Sequence, residues 1–82
     1  MPNLPRGNRD LIRSINRSIL LNAIKTQGAI SRADLAHKSG LSPATVTAIT
    51  GDLISEGLVI EKETGDSSGG RPPILLALNP RG

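Results

Sequence analysis

Residues 31–49 read Ser31-Arg32-Ala33-Asp34-Leu35-Ala36-His37-Lys38-Ser39-Gly40-Leu41-Ser42-Pro43-Ala44-Thr45-Val46-Thr47-Ala48-Ile49, and this run holds two helix starts with one stop between them. Ser31 with Asp34 three residues on is a capping-box pattern, Asp standing where Glu is stronger. Leu35 and Ala36 face inward on the helix this box opens, which ends at Ser39-Gly40. Only Gly40, Leu41 and Ser42 precede the next start. There Ser42 is the N-cap and Pro43 takes the first helical position, where a missing N–H costs nothing. The new helix turns Val46, Ile49, Leu53 and Ile54 inward and stops at Gly57.

Two helices that cross steeply through a short turn need a small residue where they touch, a glycine to turn, and aliphatics where the second packs back. Ala36, Gly40 and Val46 meet those needs in order, with Leu35 and Ile49 bracketing them. The spacing is that of a helix-turn-helix. Upstream, Leu11, Ile12, Ile15, Ile19 and Ile24, with Leu20 and Ala23, predict one broad apolar face on a first helix from about Arg9 to Gln27. Arg13, Asn16, Arg17, Asn22 and Lys25 fall on its polar side, and Gly28 stops it. Downstream the period changes. Leu58-Val59-Ile60, running into Glu61-Lys62-Glu63, and Ile74 to Leu78 predict two strands around the loop Thr64 to Gly70. The expected fold is α+β and mainly α: three helices followed by a two-stranded β-hairpin, a winged helix-turn-helix. It spans 9–80 after a flexible segment 1–8 that holds two prolines and a glycine.

Composition narrows the partner. The 82 residues make one domain, with 9 Ile, 11 Leu and 2 Val to build its core. Phe, Tyr and Trp are absent, so there is no ring on which to stack a splayed base, and duplex is favoured over single strands or RNA. Net charge is +3. Residues 1–41 hold seven basic and two acidic side chains, residues 42–82 three and five. A basic N-terminal half suits a polyanion, and equally suits solvated helix faces. No cysteine exists to form a disulfide, a thiolate metal site or a nucleophile. No metal, cofactor or catalytic residue is expected, and His37 reads as an exposed surface residue. No apolar run approaches the roughly 20 residues of a membrane span, and the expected location is the cytoplasm.

The third helix of this fold enters the major groove with its N-terminal end. Ser42, at the helix start, can hold a phosphate on free N–H groups. Thr45 and Thr47 can bond phosphate or base edges, and Ala44 and Ala48 can pack on thymine methyls. No Lys, Arg, Asn or Gln lies between Pro43 and Gly57, so direct base readout is thin. In the wing, Gly70 and its neighbour Gly69 precede Arg71, and Pro72 and Pro73 hold the next residues extended. Such an arginine can enter a narrow minor groove, or it can be one exposed charge on a loop. Arg32 and Lys38 either touch phosphates or face solvent.

Three stretches resemble the N-terminal domain of ROK-family transcriptional repressors, the group that includes repressors of xylose and N-acetylglucosamine genes. They are Ile30 to Ala36; Gly40 to Thr47 running on to Glu56-Gly57-Leu58-Val59; and Ser68 to Pro73 with Leu76 and Leu78-Asn79-Pro80. The first two occur in many winged-helix regulators, MarR-like ones included, and the third is more particular to ROK repressors. The resemblance implies a sugar-responsive repressor that binds double-stranded DNA. It implies an AT-hook-like Arg71 as the leading wing contact. It also implies a larger sugar-kinase-like body, absent here, that senses the sugar and forms a homo-oligomer, so that 81–82 begin a linker. Many members carry a basic residue where this chain has Ala48, so base specificity is not carried over at that position. The alternatives are a winged helix that binds another protein, or a MarR-like regulator outside the ROK family.

Overall fold

The computed structural model describes residues 8–63 and 73–81. Three helices, α1 (Asn8–Gln27), α2 (Arg32–Ser39) and α3 (Pro43–Ser55), pack with three short strands, β1 (Ile30–Ser31), β2 (Val59–Glu63) and β3 (Ile74–Leu78). The helix starts are those written in the sequence. The Ser31 side chain accepts the Asp34 N–H at 3.1 Å, and the Ser42 hydroxyl accepts the Thr45 N–H at 3.1 Å. At the α2 stop, Gly40 takes φ 75°, a left-handed conformation natural to glycine, and its N–H closes on the Ala36 carbonyl at 3.0 Å. The end of α3 is a Schellman motif. The Gly57 N–H donates to Ile54 O and the Leu58 N–H to Leu53 O, both at 3.0 Å.

The wing is an antiparallel sheet in the order β1-β3-β2, with Glu63 opposite Ile74 at one end of the ladder and Val59 opposite Leu78 at the other. The third strand, β1, adds to the expected hairpin: Ile30 and Ser31 pair with Leu76 and Leu75. Two residues carry no readable periodicity, and Ser31 reads as the cap of α2, a task it performs as well. Because β3 is central it is apolar on both faces, and Leu76 and Ala77 are both buried. Its end is held by Asn79, whose side-chain amide donates to Gly57 O and whose N–H donates to Leu58 O, each at 2.9 Å. Most of the segment expected to be flexible, 1–7, lies outside the described residues, and α1 begins at Asn8, one residue inside that expectation.

The core joins every element: Leu20, Ile24, Ile30, Leu35, Val46, Ile49, Leu53, Val59 and Leu76. Among the described residues Thr50 is the buried polar one, and its hydroxyl donates to the Val46 carbonyl at 2.7 Å. One expectation is corrected. Leu11, Ile12, Ile15 and Ile19 do not share a face with Leu20 and Ile24. They are exposed, while Asn16 and Arg17 are half-buried. At about 100° per residue, Ile15 and Ile24 sit half a turn apart, so one straight helix cannot bury both against one core. The apolar side of α1 therefore reverses midway. Truncating Ile24→Ala costs about 2–5 kcal/mol by loss of core contacts. Ile15→Ala shifts stability by about 0.5 kcal/mol or less. Urea unfolding of the two variants at micromolar concentration checks the reversal.

Candidate nucleic-acid interface

α3 turns Val46, Ile49, Thr50 and Leu53 into the core, and this leaves Ala44, Thr47, Ala48, Gly51 and Ser55 exposed. The outer face is thus made of small side chains, and the backbone can lie close to whatever it meets. At the N-terminus Ser42 is engaged twice. Its oxygen accepts the Thr45 N–H, and its hydroxyl donates to Thr45 Oγ1 at 2.9 Å. The Thr45 hydroxyl proton is left to donate elsewhere. Thr45 is half-buried, on the flank of α3 that faces α1. There a cleft of about 290 Å³ is lined by Ile12, Arg13 and Asn16 from α1 and by Ala44, Thr45, Ala48 and Ile49.

The same flank carries two carboxylates, Asp52 and Glu56, that would repel a polyanion. Both are met from α1. Arg13 pairs with Asp52, and the Arg17 guanidinium spans both oxygens of Glu56. Arg13 and Arg17 sit four residues apart on α1, and Asp52 and Glu56, the C-cap of α3, sit four apart opposite them, so the two sides match charge for charge. The sequence contains this signal, the i,i+4 arginines on α1 and the i,i+4 acids on α3, but placing Arg13 and Arg17 on the solvent side of α1 hid it. The hydrogen bond from Arg17 holds the Glu56 carboxyl below its ordinary range, and the same bond raises Arg17 further.

Of the basic residues read as phosphate contacts, Arg32 opens α2 and donates to Glu61 on β2 at 3.0 Å, which ties the start of the helix-turn-helix to the wing. Lys38 is exposed in the last turn of α2. Ser42, Ala44, Thr45, Thr47 and Ala48 come together on the first two turns of α3. Gly70 and Arg71 lie outside the described residues. The paired strands from which that segment extends are fixed up to Glu63 and Ile74. Among the described residues no cluster of three or more His, Cys, Asp or Glu could hold a metal ion, and no helix is long and apolar enough to cross a membrane.

Residues 12–60 match the family described as winged helix-turn-helix DNA-binding. The putative xylose repressor of Caldicellulosiruptor sp. (strain Rt8B.4) is 47% identical over 73 residues, which is 89% of this chain and 18% of that protein. The DNA-binding transcriptional dual regulator NagC of Escherichia coli (strain K12) is 40% identical over 75 residues, 92% of this chain and 18% of its own length. Among solved structures, a ROK family transcriptional regulator, a homologue of the E. coli MLC protein, superposes with a TM-score of 0.69 at 39% identity, covering 83% of this chain and 17% of that one. The chain therefore spans less than a fifth of these relatives.

The Arg17–Glu56 pair makes a pH prediction. Glu56 is depressed in the folded chain, so the pair's contribution is fully present above the ordinary glutamate value of 4.5. It drains away as pH falls through the lower folded value. Wild type melts slightly above Glu56→Gln at pH 7, and the gap shrinks as pH falls below 4.5 and closes once Glu56 is protonated in the folded chain. Circular-dichroism melts across that range check this, and a gap that persists in acid rules the pair out as its source.

Proposed function

Because this chain belongs to the winged helix-turn-helix DNA-binding family, we propose that it docks on double-stranded DNA as the N-terminal part of a sugar-responsive bacterial transcriptional repressor. In this mode α3 enters the major groove and the wing reaches the adjacent minor groove. The observation that carries the proposal is the outer face of α3. It is exposed and free of large side chains, and its acidic flank is neutralised by Arg13 and Arg17. Sugar response is inferred from the names of the relatives, a xylose repressor and an N-acetylglucosamine repressor among them. Sensing the effector and the principal oligomer contact are assigned to the remainder of such a protein, acting in the cytoplasm. The role is binding rather than catalysis.

The contacts divide by chemistry. Ser42 and Thr45, at the α3 N-terminus, hold a phosphate through backbone N–H groups and the free Thr45 hydroxyl. Thr47, Ala44 and Ala48 face base edges and thymine methyls. Lys38 contributes charge to a phosphate. Arg32 reaches one only by giving up Glu61. Arg71, preceded by Gly70, is the wing's minor-groove residue, where a narrow groove concentrates negative potential.

Titrating the chain with an A·T-rich duplex tests this. Amide shifts gather on Ser42–Ala48 and Gly69–Pro72, and affinity falls steeply as salt rises. Arg71→Ala weakens binding, and Ala48→Glu weakens it at least about tenfold by placing a carboxylate against the duplex, with its melting curve unchanged. Absence of shifts at low salt overturns the DNA proposal and leaves a winged helix that serves a protein partner.

A further inference from the structure

The cleft of about 290 Å³ between α1 and α3 is lined by Ala44, Thr45 and Ala48 on the α3 side. Ala44 and Ala48 also belong to the exposed outer face of α3, so the cleft adjoins the surface proposed to meet DNA. Its volume is many times the roughly 30 Å³ share of one water molecule, so it admits a larger group. From α1 it takes Ile12, Arg13 and Asn16.

Asn16 is half-buried there, three residues after Arg13 and one before Arg17. Both arginines are taken up by carboxylates of the α3 flank, which fixes the side of α1 that faces α3. Among the described residues the Asn16 amide makes no hydrogen bond, although the arginines on either side of it do. Asparagine is a weak helix former in a helix interior, and a half-buried amide without a partner does not repay its desolvation. Alanine at this position would serve the fold better. Thr45, across the cleft, accepts from the Ser42 hydroxyl and keeps its own proton to donate. The cleft thus brings together two donors that the fold itself does not use.

We propose that Asn16 is a DNA-positioning residue, whose amide N–H donates to a backbone phosphate of the duplex seated at the cleft, with Thr45 donating to the same phosphate from the α3 side. The inference rests on the DNA-docking reading and adds α1 to the elements that touch the duplex. Place selects a phosphate over a base. Base edges face the outer side of a helix lying in the major groove, whereas an element on its flank meets the strand that borders the groove. Chemistry agrees, because a phosphate oxygen only accepts, and asparagine and threonine are among the residues that donate to it. Arg13 is paired with Asp52, so the cleft offers hydrogen bonds more than charge. Such a contact fixes the depth and register of α3 rather than attracting DNA from a distance.

Nuclear magnetic resonance of side-chain amides tests this, with the 82-residue chain and an A·T-rich duplex as the probe. Asn16→Ala identifies the Asn16 amide signals by their loss from the spectrum. In wild type those signals shift during the titration together with the backbone amides of Ser42–Ala48. Asn16→Ala weakens binding about tenfold, as loss of a hydrogen bond to a charged group does, and its melting curve is not lowered. The amide is neutral, so the slope of log affinity against log salt keeps its wild-type value. Asn16→Asp has the same size and two arginines beside it, so it folds as well as wild type, but it loses more affinity than Asn16→Ala because a carboxylate meets the phosphate. Backbone amides that shift while the Asn16 amide does not overturn the role of Asn16 and leave the DNA reading standing, as does an Asn16→Asp chain that binds like wild type. Absence of any shift at low salt overturns both.

Discussion

Between the last turn of α2 and the first turn of α3 the chain has only Gly40, Leu41 and Ser42 in which to change direction. Gly40 closes α2 from a left-handed conformation, and Ser42 already caps α3, so little freedom remains in the connection. The angle between the helices is set by that short link. Val46 and Leu35 join one buried cluster with Leu20 and Ile24 from α1 and Ile30 and Leu76 from the sheet. The outer face of α3 is what this packing leaves over. Its small residues are exposed because the inward positions are already filled.

A second constraint comes from α1. Its C-terminal half packs on the core with Leu20 and Ile24, but its N-terminal half runs beside the acidic flank of α3, where Arg13 and Arg17 meet Asp52 and Glu56. Exposed ion pairs contribute little to stability, and these matter more for the field they leave behind. Unpaired, the two carboxylates would set a negative edge along a helix proposed to approach phosphates. The arrangement has a consequence on the far side of α1, since arginines turned inward leave Leu11, Ile15 and Ile19 turned out.

The wing is joined to the helices at both ends. Arg32 links α2 to β2, β1 runs directly into α2, and Asn79 ties the end of β3 to the turn after α3. The hairpin is therefore held in a defined direction relative to α3, which a wing needs if its tip is to reach a groove beside the one the helix occupies.

Much of this was legible in the sequence because the signals are local. A serine before a proline and a glycine after an apolar run act through hydrogen bonds spanning three to five residues, so the limits of α2, α3 and β3 could be read directly. The tertiary structure decided whatever depends on elements far apart in the chain. It decided that β1 exists, because two residues become a strand only when β3 lies beside them. It decided that Arg13, Arg17 and Arg32 are engaged by carboxylates 29 to 39 residues away. It decided which side of α1 is buried. The sequence shows eight apolar residues on that helix, but a helix turning about 100° per residue spreads them around its axis, and only the packed neighbours select which are covered.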